Sequence, residues 1–343
     1  MSHNNMNREE TVNLGTLAQM NFSMAPSCVL RAAVQLGFFS LIAAGKTSAA
    51  EIASEAKCSE RGTRMILNAL CSFELLSKKA GRYALHPAVA QHLVRNSSDY
   101  MGYLFENDEI WHLWSTLGEI VRTGRPTLQA GPDQQTAQAE KFFSNLVRSL
   151  HIMNREPALR LAQAVGAGTE HKGMHVLDVA CGSGVWGIAI AEADQDAKVT
   201  FQDLPAVLKV TAEFLDHHHM AGKHDFLPGD LNHIEFGDSR FDLAVLGNIC
   251  HSEGEKDSRR LISHIFRALR PQGRIAIIET MPNEDRTGPV FPLVFALNML
   301  VHTQEGDTFT LSEFTAWLKE AGFGVVTTAD IGLNSPAIFA TKN

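Results

Sequence analysis

A cluster of three glycines is the first feature of this sequence that could do chemistry. Gly182, Gly184 and Gly187 follow a short apolar run over residues 174–179, typical of a buried strand, and lead into a helical pattern over 185–193. Glycines at such a junction let the backbone turn sharply and let a ligand approach the main chain. The pattern is ambiguous by itself, because nicotinamide and flavin enzymes use the same turn to hold a pyrophosphate at a helix N-terminus.

Three aspartates narrow the choice of ligand. Asp178 lies four residues before the first glycine, where a carboxylate would repel a pyrophosphate but would suit an ammonium group. Asp203 ends the next apolar run, where it could accept hydrogen bonds from a ribose diol, and Asp230 follows a third run, beside the expected place of a base. An amino acid head, a ribose and an adenine without phosphate describe S-adenosylmethionine, which we expect in preference to a dinucleotide.

A histidine and a glutamate supply the second candidate chemistry. His251 follows the apolar run 241–246, and Glu279 lies at the end of the run 274–280. A histidine that titrates near neutral pH can take the proton from a hydroxyl while a carboxylate holds its other ring nitrogen. Methyl transfer to oxygen needs that deprotonation. From position alone the two residues could equally be a loop histidine and a helix cap.

The elements that must position these residues alternate along the second half of the chain. Apolar runs predict strands over 174–179, 199–201, 241–246, 274–280, 324–329 and 337–341, with one more short strand before Asp230. Helical patterns over 185–193, 258–269, 289–302 and 310–321 separate them, and residues 270–273 form a breaker. Alternating strands and helices predict an α/β, Rossmann-like, doubly wound sheet of seven strands.

Length, composition and charge exclude several classes of protein. The 343 residues are enough for two domains, and 45% hydrophobic with 20% charged residues is ordinary for a globular protein. A net charge of −8 without a basic cluster argues against a nucleic-acid partner. Five scattered cysteines predict a cytoplasmic protein, and no apolar run approaches the roughly 20 residues of a membrane span. Residues 1–10 are polar, and the consecutive histidines 217–219 indicate a surface rather than a metal site.

The N-terminal third predicts a small helical domain. Helical spacing covers residues 14–44, a hydroxyl cap begins another helix at 47–51, and an amphipathic helix follows over 59–77. Residues 78–85 read as a hairpin, which completes a winged helix. DNA binding is the alternative to self-association, but the candidate recognition helix carries few polar groups for bases or phosphates. We therefore expect a homodimer. Its exposed apolar surface would contain Phe22, Met24, Phe38, Phe39 and Leu41.

Aromatic-rich segments between the two halves, with a later helix, are candidates for a substrate pocket. The segments 99–123 and 142–165 have helical spacing, and a polar loop is expected over 128–136. Packing in the core accounts for most of the aromatic residues in these segments. The functional alternative is that some of them form the wall of a flat, apolar substrate pocket. Its candidate wall residues are Trp111, Phe142, Met153, Phe295, Met299 and His302.

The motifs together make the chain resemble the small-molecule O-methyltransferases of the plant caffeate and hydroxyindole type, in their bacterial branch. Residues 176–184 resemble the family's cofactor loop, 203–205 its ribose-binding Asp-Leu-Pro, and 229–230 its adenine-side Gly-Asp. His251 stands at the catalytic histidine and Glu279 at the first of two flanking glutamates. The resemblance implies S-adenosylmethionine as methyl donor, no metal, and a dimerising N-terminal domain. It assigns the cofactor to Asp178, Gly182, Gly184, Asp203, Leu204, Asp230, Leu231 and Asn248.

Three positions depart from the family pattern. The family usually continues from the histidine with Asp-Trp, whereas this chain has Ser252 and Glu253. A basic residue commonly precedes the histidine by four positions, where this chain has Gly247. The second flanking glutamate falls at Thr308, with Asp307 beside it, so orientation of the base would rest on Glu279 alone or on a shifted Asp307.

The sequence thus predicts an S-adenosylmethionine-dependent O-methyltransferase of a small aromatic or polyketide-like metabolite, with His251 as base and Glu279 as its orienter. The predicted domains are a dimerisation domain over 1–98, linking helices over 99–170 and a cofactor domain over 171–343. The alternatives are a family member that methylates carbon or nitrogen, or that catalyses hydroxylation, decarboxylation or pericyclic chemistry, and a silent regulatory dimer. Residues 247–250 lack the Asn-Pro-Pro-aromatic motif of adenine methylation.

Overall fold

The structure is a computed structural model that describes residues 12–106, 108–126, 137–220, 222 and 224–343, without the side chains of 108–109 and 137–143. The polar start of the chain and the loop predicted over 128–136 lie outside these residues. The chain divides into two compact units, Met1–Asn107 and Asp108–Asn343. Within the described residues no helix has the length and apolarity needed to cross a bilayer.

The first unit is the predicted set of helices followed by a hairpin. Ser48 caps its helix reciprocally with Glu51, as a hydroxyl before an acidic first turn predicts. The elements are α1 (Leu14–Phe22), α2 (Ala25–Gln35), α3 (Phe38–Ala43), α4 (Ala49–Glu55), α5 (Glu60–Ser72), β1 (Leu76–Lys79), β2 (Arg82–Leu85) and α6 (Pro87–Leu93).

Two details of the first unit differ from the prediction. Phe38 and Phe39 are not exposed, and Leu41 is partly buried; they pack in the core, because the six-residue helix α3 is apolar apart from Ser40 and lies between its neighbours. The predicted helix over 59–77 ends at Ser72, because Glu74 takes a left-handed conformation and the chain then pairs as strand β1. Phe22 and Met24 are exposed as predicted.

The second unit contains the predicted seven-stranded sheet. Its elements are α7 (Asp108–Ser115), α8 (Leu117–Thr123), α9 (Ala137–Ala164), β3 (His175–Val179), α10 (Val185–Ala193), β4 (Lys198–Asp203), α11 (Pro205–His217), β5 (His224–Pro228), β6 (Phe241–Gly247), α12 (Cys250–Ala268), β7 (Leu269–Ile278), α13 (Val290–His302), α14 (Leu311–Ala321), β8 (Phe323–Ala329) and β9 (Ala337–Lys342). Their order across the sheet is β5-β4-β3-β6-β7-β9-β8. The first five strands are parallel, and β9 is antiparallel to both β7 and β8.

The strand order fixes where a ligand can bind. From β3 the chain builds outward through β4 and β5 on one side, then returns to the centre and builds through β6 and β7 on the other. The carboxyl ends of β3 and β6 therefore border a switch point, which is where open α/β sheets leave a crevice for ligands. Both strands are buried along most of their length, so the crevice has a rigid floor.

Two element boundaries near this crevice differ from the prediction. Helix α12 begins at Cys250 rather than Ser258, and Gly254 interrupts it with a non-helical conformation. Strand β7 begins at Leu269, so residues 270–273 belong to the strand instead of forming a breaker. The Arg270 guanidinium binds both carboxylate oxygens of Asp242 at 2.7 and 2.8 Å, a long-range contact that holds this segment against β6.

Candidate active site

The glycine turn after β3 depends on close packing between a helix and a strand. Gly182 and Gly184 both have positive φ, at 56° and 75°, a region that favours glycine. A Cβ atom on Gly184 would lie 2.8 Å from the ring of Phe201 on β4, and one on Gly187 would lie 2.6 Å from the same ring. Larger residues would push α10 away from the sheet and move the turn.

Asp178 lies at the end of β3, fully buried beneath this turn. Its Oδ2 accepts a hydrogen bond of 2.9 Å from the Gly187 N–H in the first turn of α10. Its Oδ1 is buried and has no hydrogen-bond partner among the described residues. Burial raises the pKa of Asp178 to about 8, against the smaller opposing effect of the Gly187 bond. An unpaired buried acceptor in this position suits a cationic hydrogen-bond donor.

Asp203 lies at the end of β4 and joins two turns. Its Oδ2 accepts the Gly182 N–H at 2.8 Å, and its Oδ1 accepts the Leu204 N–H at 2.7 Å. Burial raises the pKa of Asp203 to about 6, although both backbone bonds oppose that shift. Each carboxylate oxygen can accept more than one hydrogen bond, so the side chain keeps capacity for a diol.

Asp230 follows β5, on the same edge of the sheet as the other two aspartates. Its Oδ1 accepts the Asn232 N–H at 2.8 Å, and its Oδ2 lies 3.2 Å from Nδ1 of His233. Its side chain is about half exposed, and Leu231 packs against the core behind it. The structure therefore brings the ends of three neighbouring strands into one row of carboxylates.

Gln202 connects this row and was missed in the sequence. It is fully buried one residue before Asp203, its Oε1 accepts the Ala180 N–H at 3.1 Å, and its Nε2 donates to the Gly229 carbonyl at 2.7 Å. The side chain thus ties the turn after β3 to the turn after β5. The signal that could have identified it was an amide side chain placed directly between the apolar run 199–201 and Asp203.

His251 and Glu279 form a buried pair across the ends of β6 and β7. Nδ1 of His251 lies 2.7 Å from Oε2 of Glu279, and Oε1 accepts the backbone N–H of His251 at 3.3 Å. A carboxylate at Nδ1 assigns the ring proton to that nitrogen, which leaves Nε2 with a free lone pair. The ring of Phe295 on α13 meets His251 edge-on, with centroids 5.0 Å apart. This arrangement can accept a proton from an acidic hydroxyl.

The second flanking position does not supply a carboxylate to this pair. Thr308 is buried and its hydroxyl donates to the Pro292 carbonyl at 3.2 Å. Asp307 turns back on its own loop, with Oδ1 accepting the Thr308 N–H at 2.7 Å, while its backbone N–H donates to the His251 carbonyl at 3.0 Å. Among the described residues, Glu279 is the carboxylate that holds the imidazole.

Trp186 explains the glycine at position 247. A Cβ atom on Gly247 would overlap the indole nitrogen of Trp186 and would lie 2.6 Å from Cδ1. The indole is buried in the first turn of α10 and covers the end of β6. Asn248 follows with a positive φ of 60°, and its N–H donates to the Ile278 carbonyl at 2.8 Å, which directs the chain toward His251.

The candidate wall residues are only partly brought together. Phe295 contacts His251, and Met299 is buried near Gly306, whose Cβ would lie 3.2 Å from it. His302 lies on the same helix with Nδ1 2.8 Å from the Asn298 carbonyl. Trp111 is half-buried on α7 and Met153 is more than half exposed on α9, whereas the side chain of Phe142 lies outside the described residues. The described part of the chain contains no group of three or more potential metal ligands.

Comparison with known proteins identifies two domains. A family model of the O-methyltransferase domain matches residues 114–324, and a model of the O-methyltransferase dimerisation domain matches residues 18–95. The chain is 28% identical to the 3-hydroxy-5-methyl-1-naphthoate 3-O-methyltransferase of Streptomyces sahachiroi, over 87% of this chain and 86% of the relative. It is also 28% identical to the tetracenomycin polyketide synthesis 8-O-methyl transferase of Streptomyces glaucescens, over 94% and 96%.

A solved structure shares the fold and carries the expected ligand. Human N-acetylserotonin methyltransferase in complex with S-adenosylmethionine superposes with a TM-score of 0.80 at 24% identity, over 97% of this chain and 99% of that one. The geometry described above fits the same cofactor. The orphaned Oδ1 of Asp178, beneath the glycine turn, suits an ammonium group.

Cofactor affinity should depend on pH through Asp178. Its pKa of about 8 keeps the free carboxyl mostly protonated at neutral pH, whereas an ammonium group favours the carboxylate. Affinity for S-adenosylhomocysteine should therefore fall up to tenfold per pH unit from pH 8 toward 6, and more steeply below 6, where Asp203 also protonates. Calorimetric titration across this range measures the slope. An unchanged slope in Asp178→Asn would contradict the assignment.

The packing of Trp186 on Gly247 predicts that a larger residue at position 247 destabilises the fold only while the indole is present. Gly247→Ala should lower the free energy of unfolding by about 1–3 kcal/mol, because the new methyl group overlaps the indole. Gly118→Ala is the matched control, since a Cβ there meets nothing within 4 Å. Thermal unfolding compares the variants. In a Trp186→Ala background the cost of Gly247→Ala should shrink; an equal cost in both backgrounds would show that the indole is not responsible.

Proposed function

The chain belongs to the O-methyltransferase family, and we propose that it methylates a hydroxyl of an aromatic, polyketide-type small molecule. The observation that carries the proposal is the buried His251–Glu279 pair at the carboxyl ends of β6 and β7, with an aromatic side chain against the imidazole. Two relatives named for methylation of a naphthoate and of a polyketide support this substrate class. Flat aromatic acceptors suit a pocket lined by apolar and aromatic residues.

The methyl donor is S-adenosylmethionine, whose sulfonium supplies an activated methyl group and a neutral leaving group. The protein must therefore hold the donor and deprotonate the acceptor. Nε2 of His251 accepts the proton from the hydroxyl, and Glu279 stabilises the imidazolium through the 2.7 Å bond at Nδ1. Burial of both side chains strengthens that ion pair while it exists, because little water screens it.

The donor would be held at the row of strand ends. Asp178 would take the ammonium group and Asp203 the ribose hydroxyls, while Asp230 would lie beside the adenine. The glycine turn would supply backbone N–H groups and space for close approach. Gly182, Gly184, Leu204, Leu231 and Asn248 complete the proposed cofactor residues. We propose that Trp111, Phe142, Met153, Phe295, Met299 and His302 line the acceptor pocket, with the linking helices over 99–170 contributing the first three.

Thr308 favours one alternative enough to be tested. With a hydroxyl bound to Pro292 in place of a second carboxylate, the imidazole is oriented by one partner instead of two. This single partner departs from the family's pattern of two flanking glutamates, and it weakens the case for ordinary O-methylation. The alternative is chemistry other than O-methylation at the same site: transfer to carbon or nitrogen, or a reaction without methyl transfer.

Product analysis separates these functions. Purified protein incubated with S-adenosylmethionine and a panel of hydroxynaphthoates, anthraquinones and simple phenols should yield a mass gain of one methylene with equimolar S-adenosylhomocysteine. Fragmentation should locate the new methyl group on oxygen. A methyl group on carbon or nitrogen, or converted acceptor without S-adenosylhomocysteine, would replace the proposal with the corresponding alternative.

Substitution of the base should separate chemistry from cofactor binding. His251→Ala should lower kcat by about 10²–10⁴, the usual worth of general base catalysis, while the Kd of S-adenosylhomocysteine changes less than about twofold. Glu279→Gln should lower kcat by a smaller factor, because the amide still holds Nδ1 but cannot neutralise the imidazolium. Steady-state kinetics and calorimetry provide both readouts. Full activity of His251→Ala would remove this residue from the mechanism.

The first unit supports a homodimer with the partner on helix α1. No residue of α1 is buried in this chain, although the helix carries Leu14, Leu17 and Met20 at helical spacing, with Phe22 at its end. Such an apolar surface is a liability unless it is covered. The dimerisation-domain match begins at residue 18, within this helix. We propose a second copy of the chain as the cover, and a reducing, cytoplasmic environment for its five free cysteines.

Substitutions on α1 should weaken this dimer. Leu17→Asp combined with Met20→Asp should convert the protein to a monomer at micromolar concentration, because two buried carboxylates cost far more than the lost apolar contacts. Val325→Asp, on the edge strand β8, is the control for an exposed apolar residue elsewhere. Light scattering after gel filtration gives the mass. A dimer that persists in the double variant would place the interface away from α1.

A further inference from the structure

A buried histidine outside the proposed catalytic pair contacts the glycine turn after β3. His151 on α9 is only 6% exposed, and its ring stacks on Phe214 of α11 with centroids 3.9 Å apart and planes at 16°. Nδ1 lies 3.0 Å from Oγ of Ser183. Ser183 is the middle residue of the turn between Gly182 and Gly184, so a titratable ring touches the loop that faces the cofactor.

Charged and titratable groups from three helices surround this histidine. The ring of His218, the residue directly after α11, lies 5.5 Å away, and its Nδ1 is 2.8 Å from Glu192 on α10. The other oxygen of Glu192 binds Arg155, one turn beyond His151 on α9. Arg148, one turn before His151, pairs with Glu213 on α11. Both arginines are thus neutralised by glutamates, and a proton on His151 is not opposed by an unpaired cation among these groups.

We propose that His151 is a positioning residue that directs the Ser183 hydroxyl, and that its protonation strengthens binding of the cofactor's amino acid carboxylate. A hydroxyl has one hydrogen. When His151 is neutral with Nδ1 unprotonated, Ser183 donates that hydrogen to the ring. When the ring is protonated, Nδ1–H donates to Oγ, and the hydroxyl hydrogen is free to point toward the proposed cofactor site. The positive charge on the buried ring would then also attract the carboxylate.

The inference rests on the cofactor site and not on the identity of the acceptor. It predicts a pH effect opposite in sign to that of Asp178, whose protonation weakens binding of the ammonium group. The two effects belong to different residues and can be separated by substitution. Binding of S-adenosylhomocysteine reports on both without any acceptor, so failure of this inference is distinguishable from failure of the proposed methylation.

The decisive comparison is between the native protein and His151→Asn over pH 5.5–8.5. Asparagine can hydrogen-bond to Ser183 but cannot become positively charged. The Kd of S-adenosylhomocysteine should be within about twofold of native at pH 8.5 and about 5–10-fold weaker at pH 5.5, roughly the difference between a charge-assisted and a neutral hydrogen bond. The kcat at saturating S-adenosylmethionine should change less than about twofold at either pH. A constant ratio of Kd values across the range would reduce His151 to a packing residue and overturn the proposal.

Two further variants test whether His151 acts through Ser183 and whether the effect is specific to His151. Ser183→Ala removes the hydroxyl but leaves the ring and its stacking; it should weaken binding at pH 5.5, and His151→Asn should then cost less than in the native background. His217→Asn changes an exposed histidine on the rim of the same cluster and should leave the Kd unchanged throughout. Additive effects of Ser183→Ala and His151→Asn would show that the histidine does not act through the serine.

Discussion

The approach of helix α10 to strand β4 is the constraint on which the ligand-binding edge depends. Two glycines allow the helix to lie against the ring of Phe201, and Asp178 holds the first turn from below through the Gly187 N–H. That position sets the glycine turn, and the turn sets the backbone N–H groups that Asp203 and Gln202 engage. Packing and backbone hydrogen bonds therefore fix the positions of the three aspartate side chains in the row.

The proposed donor side and the proposed acceptor side of the site differ in how their charged groups are paired. The proposed donor side lies at the ends of β3, β4 and β5; the buried carboxyls of Asp178 and Asp203 at the first two have raised pKa values, and Oδ1 of Asp178 is unpaired among the described residues. The acceptor side lies at the ends of β6 and β7, where His251 and Glu279 satisfy each other. A switch point in the strand order brings the two sides together. The sheet thus keeps the carboxylates proposed to bind the donor and the pair proposed to accept the proton on separate strands.

The sequence predicted what local patterns encode and failed where distant contacts decide. The parallel strands, the glycine turn and the histidine–glutamate pair follow from apolar runs, glycine spacing and strand ends. The boundary between α12 and β7 was wrong because the Arg270–Asp242 contact, 28 positions apart, extends the strand. Phe38 and Phe39 were placed on the surface because a six-residue helix shows no clear polar face. Trp186 was missed because its role is set by Gly247 on strand β6, and the full role of Gln202 is set by Ala180 and Gly229 on two separate turns.

The pair of Trp186 and Gly247 also bears on how such a site can change over generations. A side chain at position 247 and an indole at position 186 exclude each other in this fold, so neither substitution is neutral while the other residue stays. A lineage that carries this pair can acquire a basic residue at 247 without a steric clash if the indole at 186 is lost first. That step opens a void beside the cofactor turn, whereas the reverse order begins with a steric clash. Packing therefore restricts the order of mutational steps. While Trp186 is present, the cofactor site must function without a cation at position 247.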